Sequence, residues 1–351
     1  MNAIATNNNR PGPTSLQKLG WLLRREFWEH RGGFLWAPLI AGGVFLFFTL
    51  LGGGTAQVVW NKARLDPGNT TTINGVQIPT SEVRLADILQ SASAEDLRQM
   101  GEAVNAMTLM TTFWPLVVFG FVAFFYLLGA LYDERKDRSV LFWKSLPVSD
   151  GLTVWSKLLM ALVVAPLLAT MVALAVMLAF GAILSGFILF NGGNPFTLYW
   201  AHLRPLELLG ATFAALPIYL LWALPTAGWL LLCSAWARSK PFLWAVLVPL
   251  LAGAVVSWFR LFDGMTEGAG AWFWKNVVGR LLTGTWPGSH LLGYFNAGKS
   301  HLLTASEHPF QGAGLASGWH LFAEPQLWIG AAAGIAMVLL AIRLRRWRDE
   351  G

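Results

Sequence analysis

No Asp, Glu, Lys or Arg occurs between Lys157 and Arg204, and this long uncharged stretch constrains the fold more than any other feature of the sequence. A helix needs about 20 apolar residues to cross the hydrocarbon core of a bilayer. Over the whole chain, 55% of the residues are hydrophobic and 13% are charged, whereas soluble domains carry roughly 25% charged residues. The sequence therefore predicts an all-α integral membrane protein rather than a soluble or nucleic-acid-binding protein.

Six segments are long and apolar enough to be transmembrane helices. We predict spans at residues 34–51, 106–131, 158–190, 208–237, 241–259 and 326–342. The uncharged stretch leaves two alternatives for the third span. Either the span ends near Phe190 and a loop leads to Pro205, or a helical hairpin turns around Gly181 to Gly186.

The distribution of basic residues decides between these alternatives, because cytoplasmic segments of membrane proteins carry an excess of Lys and Arg. With six spans, the segments on the cytoplasmic side are 1–33, 132–157, 238–240 and 343–351. They hold 16 of the 25 Lys and Arg residues. An extra hairpin would move the segments 238–240 and 343–351 to the outside. We therefore predict six spans, with both termini in the cytoplasm and a basic tail at 343–351. The outer segments are then 52–105 and 260–325, and we expect a multi-pass protein of a bacterial cytoplasmic membrane.

Two further segments are predicted to form helices at the membrane surface. From Ser15 to His30, leucines and Phe27 alternate with charged residues at helical spacing, which indicates an amphipathic interfacial helix on the cytoplasmic side. The alternative is a solvated helix that leads into the first span. The outer segment 260–325 is semi-apolar and rich in Trp and Gly, so we predict re-entrant or interfacial helices before the last span.

The segment 132–157, between spans two and three, is the most informative part of the chain. Five consecutive charged residues and Arg138 precede a cluster of apolar side chains, and Pro147 ends any helix there. Large apolar side chains flanked by charges are typical of a segment that docks into a groove of a partner protein. The alternative is an ordinary loop whose Trp143 and Lys144 rest on lipid headgroups.

The same segment resembles part of a known family. Its sequence reads Glu134-Arg135-Lys136-Asp137-Arg138-Ser139, then Leu141-Phe142-Trp143-Lys144-Ser145-Leu146-Pro147-Val148-Ser149. This is similar to the segment of ABC-2 type transporter permeases that forms a coupling helix against the ATPase subunit, and the six-span architecture is similar too. The resemblance implies that the residues coupled to an ATPase are Arg135, Lys136, Arg138, Leu141, Phe142, Trp143, Lys144 and Leu146.

The resemblance also implies the composition of a complex. Two copies of this chain, or this chain and a similar permease, would form the translocation pathway in the lipid bilayer. Two copies of a separate ATPase subunit would bind ATP and Mg²⁺ on the cytoplasmic side, and this chain would carry no cofactor, metal or catalytic residue. Its aromatic-rich, uncharged spans favour export of lipidic, amphipathic or hydrophobic peptide substrates over small ions.

A P-loop pattern at Gly293–Ser300 is not predicted to bind nucleotide. The motif binds phosphate only between a strand and a helix, but Trp286 to Ser289 is no buried strand and Pro309 curtails a following helix. The histidines of the same outer segment are His290, His301, His308 and His320. They lack the Cys partners and the i, i+4 spacing of zinc ligands, so we expect no metal site there.

Two other functions are consistent with the sequence. The chain could be a membrane scaffold or assembly protein whose segment 132–157 binds a partner that is not an ATPase. It could also be a membrane enzyme that modifies lipid with its outer histidines. Acidic residues inside spans mark ion pathways and intramembrane catalysis, and the predicted spans contain none, which favours a translocator powered by a separate ATPase.

Overall fold

The computed structural model describes residues 13–66, 68–73, 76–79, 93–139, 145, 148–201, 203, 205–263, 268–289, 319 and 321–348. Within them, six helices are long and apolar enough to cross a membrane. The described chain is helical apart from short connections and one β-hairpin. It is therefore an α-helical, multi-pass membrane protein, which confirms the fold class predicted from the sequence at this level.

The N-terminal half begins with α1 (Ser15–Arg31), whose first turn is closed by reciprocal hydrogen bonds between Thr14 and Gln17. A single π-helical turn, Gly32–Trp36, continues into the next helix. The elements that follow are α2 (Ala37–Leu65), β1 (Thr70–Ile73), β2 (Val76–Pro79), α3 (Ala94–Met110), α4 (Phe113–Gly129) and α5 (Tyr132–Lys136). The two strands pair antiparallel as a hairpin.

The C-terminal half contains the remaining spans. Its helices are α6 (Asp150–Leu159), α7 (Ala165–Phe190), α8 (Pro205–Trp236), α9 (Pro241–Asp263), α10 (Gly268–Phe273), α11 (Arg280–Thr283) and α12 (Pro325–Arg348). Further π-helical turns are Met160–Val164, Phe196–Trp200 and Trp274–Gly279. The first of these turns joins α6 to α7, and the last joins α10 to α11 into one helical segment.

Prolines explain two of the π-helical turns. A proline has no N–H, so it cannot bond the carbonyl four residues earlier in a helix. The turn before Pro38 is closed instead by the N–H of Ala37, which donates to the carbonyl of Gly32. In the turn before Pro166, the N–H of Ala165 donates in the same way to the carbonyl of Met160. The wider turn carries the chain past each proline, so α1 runs on into α2 and α6 into α7.

The third span follows the first of the two alternatives. Helix α7 continues to Phe190 and does not turn at Gly181 or Gly186. Gly181 instead lies against Tyr199, where an added Cβ would be 2.9 Å from the hydroxyl and a ring carbon. This glycine therefore allows a close contact with the π-helical turn Phe196–Trp200, and α7 is one of six candidate membrane-spanning helices among the described residues.

The first span is longer than predicted, because α2 continues through Gly52, Gly53 and Gly54 to Leu65. A glycine in a helix costs roughly 1 kcal/mol relative to alanine, which a long helix tolerates. Gly53 faces the ring of Phe187, and an added Cβ there would be 2.4 Å from that ring. Gly53 thus allows contact between α2 and α7, whereas an added Cβ on Gly52 or Gly54 would meet nothing within 4 Å. At the other terminus, the predicted basic tail is helical as far as Arg348.

Helices α8 and α12 approach each other closely. A Cβ on Gly228 would be 2.4 Å from the carbonyl oxygen of Gly334, and a Cβ on Gly334 would be 2.6 Å from the backbone of Leu224. The two backbones therefore touch, as is typical where small residues meet between membrane helices. The main hydrophobic core lies between this pair and α4, α6 and the start of α7.

The bundle has two chemically different ends. We call basal the end where α1, α5, the first turn of α6, residues 237–240 and the last turns of α12 meet. The described residues of all four segments predicted to be cytoplasmic lie at this end. At the opposite, distal end, the side-chain amides of Gln57 and Asn191 hydrogen-bond each other at 3.1 and 2.8 Å.

Candidate coupling site

The apolar face of α1 contacts the protein core. Leu22 is buried, and Leu23 and Phe27 pack against the core residues. Three residues of the apolar stripe therefore pack inside the protein, whereas Leu16 at the start of the stripe is exposed. The opposite face exposes Trp21 and Trp28, which are 62% and 54% exposed.

Glu26 lies on the buried face of α1, four residues after Leu22, and is 0% exposed. Its carboxylate accepts a hydrogen bond from the Nζ of Lys157 at 3.0 Å and another from the hydroxyl of Tyr126 at 2.8 Å. The neighbouring Arg25 also donates to it. Lys157 lies in α6, whereas Glu26 belongs to α1. This ion pair therefore joins two distant parts of the chain.

Glu134 is the second acid in this buried network. One carboxylate oxygen lies 3.0 Å from the Nζ of Lys157, and the other accepts from Nη1 of Arg345 at 2.7 Å. Nε of Arg345 donates to Asp150 at 3.2 Å. Helix α5, the first turn of α6 and the last turns of α12 are therefore held together by ion pairs.

Together these side chains form a single cluster of three basic and three acidic residues at the basal end. The residues of this basal ion cluster are Arg25, Glu26, Glu134, Asp150, Lys157 and Arg345. Glu26, Lys157 and Arg345 are each less than 5% exposed. Buried ions are tolerated only when they are paired and hydrogen-bonded, and removal of one member leaves an uncompensated charge in the protein.

Arg135 attaches α5 to the end of α8. Its Nη2 donates to the carbonyl of Ser234 and, at 3.1 Å, to that of Ala237. The hydroxyl of Ser234 in turn accepts from the backbone N–H groups of Leu131 and Tyr132, both at 2.9 Å. Carbonyls at the end of a helix have no partner within the helix, so Arg135 and Ser234 join the two chain segments where each needs hydrogen bonds.

The structure places the predicted coupling residues in three groups. Arg135 is partly buried and bonded to α8, as described. Lys136 and Arg138 are exposed at the basal surface, and Arg138 has a left-handed backbone with φ of 57°. Outside the described residues lie Leu141, Phe142, Trp143, Lys144 and Leu146.

The acids and Arg345 were not singled out by the sequence, although two patterns pointed to them. Glu26 interrupts an apolar stripe at the i+4 position from Leu22, where a leucine is expected. Arg345 follows the buried Val338 and Ala341 at helical spacing once α12 extends past the membrane span. An ionisable residue on the buried face of a helix is a sign of a buried ion pair.

Two further sequence motifs occur in the segment 260–325. The P-loop pattern at residues 293–300 and the four histidines are outside the described residues. Among the residues that are described, no group of three or more His, Cys, Asp or Glu side chains is placed to hold a metal ion.

Comparisons with protein-family models, with curated proteins and with solved structures gave no match to this chain. Inferences about function therefore rest on the residues and geometry of the basal end.

Proposed function

We propose that this chain is the membrane-spanning permease subunit of an ABC-2 type transporter, an exporter driven by a separate ATPase subunit. The observation that carries the proposal is the attachment of segment 132–157 at both of its ends. Glu134, near its start, and Asp150 and Lys157, near its end, are held by buried ion pairs to α1 and α12. Displacement of this segment therefore moves both helices, whereas a simple connecting loop needs no such attachment.

The exposed part of the segment supports the same proposal. Lys136 and Arg138 are exposed on the basal surface, and the sequence continues with Phe142 and Trp143. Aromatic side chains at the centre of an interface supply most of its binding energy, while charges at its rim accelerate encounter and set the salt dependence. A basic rim beside two aromatic residues suits the groove of an ATPase subunit.

In the proposed arrangement the basal end is cytoplasmic, and α1 lies at the membrane surface with Trp21 and Trp28 at the level of the headgroups. Residues 268–289 form a re-entrant segment that enters the bundle from the outer side. The protein is a multi-pass protein of a bacterial cytoplasmic membrane.

The working complex contains two permease chains, identical or similar, and two ATPase subunits. ATP and Mg²⁺ bind to the ATPase subunits, whose closure pushes on segment 132–157. The basal ion cluster transmits this displacement to α1 and α12, and the two permease chains rock between inward-open and outward-open states. This chain performs no catalysis of its own.

The test is the substitution Trp143→Ala in the complete chain. If Trp143 fills a groove on the ATPase, its truncation costs about 2 kcal/mol or more of docking energy, which weakens the affinity for the ATPase roughly 30-fold. Co-purification from detergent-solubilised membranes and transport-linked ATP hydrolysis measure this effect. The matched control is Trp347→Ala, an exposed Trp at the basal end of α12 outside the segment, which should leave association unchanged.

The opposite outcome is equally clear. If a double Phe142→Ala, Trp143→Ala variant keeps full ATPase association and transport, the segment is not a coupling helix. If the wild-type chain instead co-purifies with a partner that hydrolyses no ATP, the scaffold function replaces the transporter function.

A further inference from the structure

The turn Gly284–Ser289, which follows α11, contains two buried hydroxyl groups without partners. Thr285 is 0% exposed and Ser289 is 7% exposed. Neither Oγ1 of Thr285 nor Oγ of Ser289 has a hydrogen-bond partner in the described part of the chain. Buried hydroxyl groups in proteins nearly always have one, so two unsatisfied groups within a single turn require an explanation.

The turn is inserted between two membrane helices. The ring of Trp286 lies edge-on to Phe121 at 4.8 Å and against Gly120 of α4, where an added Cβ would be 2.4 Å away. On the other side, the hydroxyl of Tyr219 in α8 donates to the carbonyl of Thr285 at 3.0 Å. Tyr219 lies about 26 Å along α8 from its basal end, which is within the roughly 30 Å of a hydrocarbon core.

The helix that leads into the turn is firmly held by Arg280. The guanidinium donates to the carbonyls of Trp222, Gln326 and Leu221 at 3.1, 2.9 and 3.2 Å. The carbonyl of Leu221 is available because Pro225, four residues later, has no N–H. Arg280 thus joins α11 to α8 beside Pro225 and to the first turn of α12.

Arg280 is also a buried cation, 5% exposed, and among the described residues no carboxylate forms an ion pair with it. A guanidinium stays charged in proteins. Within the described part of the chain, Arg280 therefore meets backbone carbonyls and the ring of Trp222, which supply partial charges but no full negative charge.

We propose that the turn Gly284–Ser289 is a gate in the translocation pathway and that its two hydroxyls, which follow Arg280 by five and nine residues, bind the anionic headgroup of an amphipathic substrate when the gate opens. This inference rests on the proposed transport function. In the closed arrangement the hydroxyls have lost water and gained no partner, which raises the free energy of that arrangement. Opening of the gate exposes the two hydroxyls to water, which restores their hydrogen bonds. Gly288, with φ of +84°, provides a backbone position that tolerates such a turn.

A first experiment tests whether the hydroxyls are unsatisfied. Thr285→Val removes an unpaired hydroxyl, so the Tm of the purified chain in detergent should equal or exceed that of wild type. Thr226→Val is the matched control, because the hydroxyl of Thr226 donates to the carbonyl of Arg280 at 2.5 Å. Its loss should lower Tm by about 2 °C or more. An equal fall in Tm for both variants would overturn the proposal.

A second experiment tests opening. Cys233 is the single cysteine, so Cys233→Ala gives a cysteine-free background into which Ser289→Cys is introduced. A water-soluble thiol reagent should label this position slowly in the resting complex and at least about tenfold faster during ATP hydrolysis, as a minor open state becomes populated. Equal labelling rates in a complex that hydrolyses ATP would overturn the gate while leaving the transport function intact. If no ATPase associates with the wild-type chain, the transport function itself fails and the gate with it.

A third experiment tests the headgroup chemistry, with lysophosphatidylglycerol as an anionic probe and lysophosphatidylcholine as its zwitterionic control. The anionic probe should stimulate ATP hydrolysis by the wild-type complex more strongly than the control. The double variant Thr285→Val, Ser289→Ala should require about tenfold more of it for half-maximal stimulation, a change of roughly 1.4 kcal/mol. Equal stimulation by both lipids, or an unchanged concentration dependence in the variant, would overturn the assignment of the headgroup.

Discussion

At the scale of single residues, Lys157 is the centre of the basal end. Its ammonium group lies 3.0 Å from a carboxylate oxygen of Glu26 and 3.0 Å from one of Glu134. The side chain is 3% exposed, so neither acid can exchange this partner for water without movement of α1 or α5. The stability of the basal end therefore depends on one charge shared between two helices.

We predict that Lys157→Met lowers the free energy of unfolding by about 3–5 kcal/mol, because it leaves Glu26 and Glu134 with less positive charge in a buried site. The fall appears as a lower Tm and a smaller yield of folded protein in fluorescence-detected size-exclusion chromatography. The control is Glu95→Gln, which breaks an exposed ion pair with Arg98. Exposed pairs contribute little to stability, so this variant should resemble wild type. If Lys157→Met were equally stable, the cluster would be solvated in the folded protein.

At the scale of elements, the pairing of α8 with α12 depends on glycines where the backbones touch. Gly334 faces the backbone of Leu224 and Pro225, which cannot rotate away as a side chain can. Contact at this distance lets α12 pack against α8 beside Pro225, where the carbonyl of Leu221 accepts from Arg280. The position of α11 thus follows from the pairing of these two helices.

Gly334→Val should therefore force α8 and α12 apart. Overpacking in a core typically costs 1–3 kcal/mol, and we expect at least about 3 kcal/mol here because the contacted atoms belong to the backbone. The measurement is Tm of the purified variant. Gly43→Ala is the control, since an added Cβ at this exposed position of α2 meets nothing within 4 Å. Alanine also favours the helix, so that variant should be as stable as wild type. A Gly334→Val variant with wild-type Tm would contradict this packing.

At the scale of the whole molecule, the two ends of the bundle are predicted to face opposite sides of the membrane. Asn61 lies about 40 Å along the helix from Phe34, at the distal end, and Ser239 lies in the basal turn between α8 and α9. Both are exposed. Arg345 is unsuitable as a reporter of topology because it belongs to the basal ion cluster.

In a Cys233→Ala background, Asn61→Cys should react with a membrane-impermeant maleimide on intact cells. Ser239→Cys should react only after the membrane is permeabilised. The reverse pattern would place the basal end outside and contradict the prediction from the distribution of Lys and Arg. Each variant is the control for the other, because they share the background and the reagent.

The sequence by itself determined the class of the protein, located six segments that the described residues show as long apolar helices, and predicted how its loops are grouped. Each of these depends on a local property: the length of an uncharged segment relative to the bilayer, or the count of basic residues in a short connection. The same local reading directed attention to segment 132–157. The family resemblance, rather than this local reading, placed Arg135, Lys136 and Arg138 among the coupling residues, and it had no means to separate Arg135, which bonds α8, from the two exposed cations.

Only the tertiary structure decided which charges are buried, where glycines allow contact, and how the turn after α11 packs against α4 and α8. Glu26 and Lys157 are 131 residues apart, so the interruption of the apolar stripe by Glu26 does not show which base pairs with it. The glycines of α2 predicted the end of a helix, but Gly53 lies inside it because Phe187 of α7 occupies the space of a side chain. Local sequence patterns indicate whether a segment lies in lipid or in water. Ion pairs and close contacts depend instead on which distant segments the fold brings together.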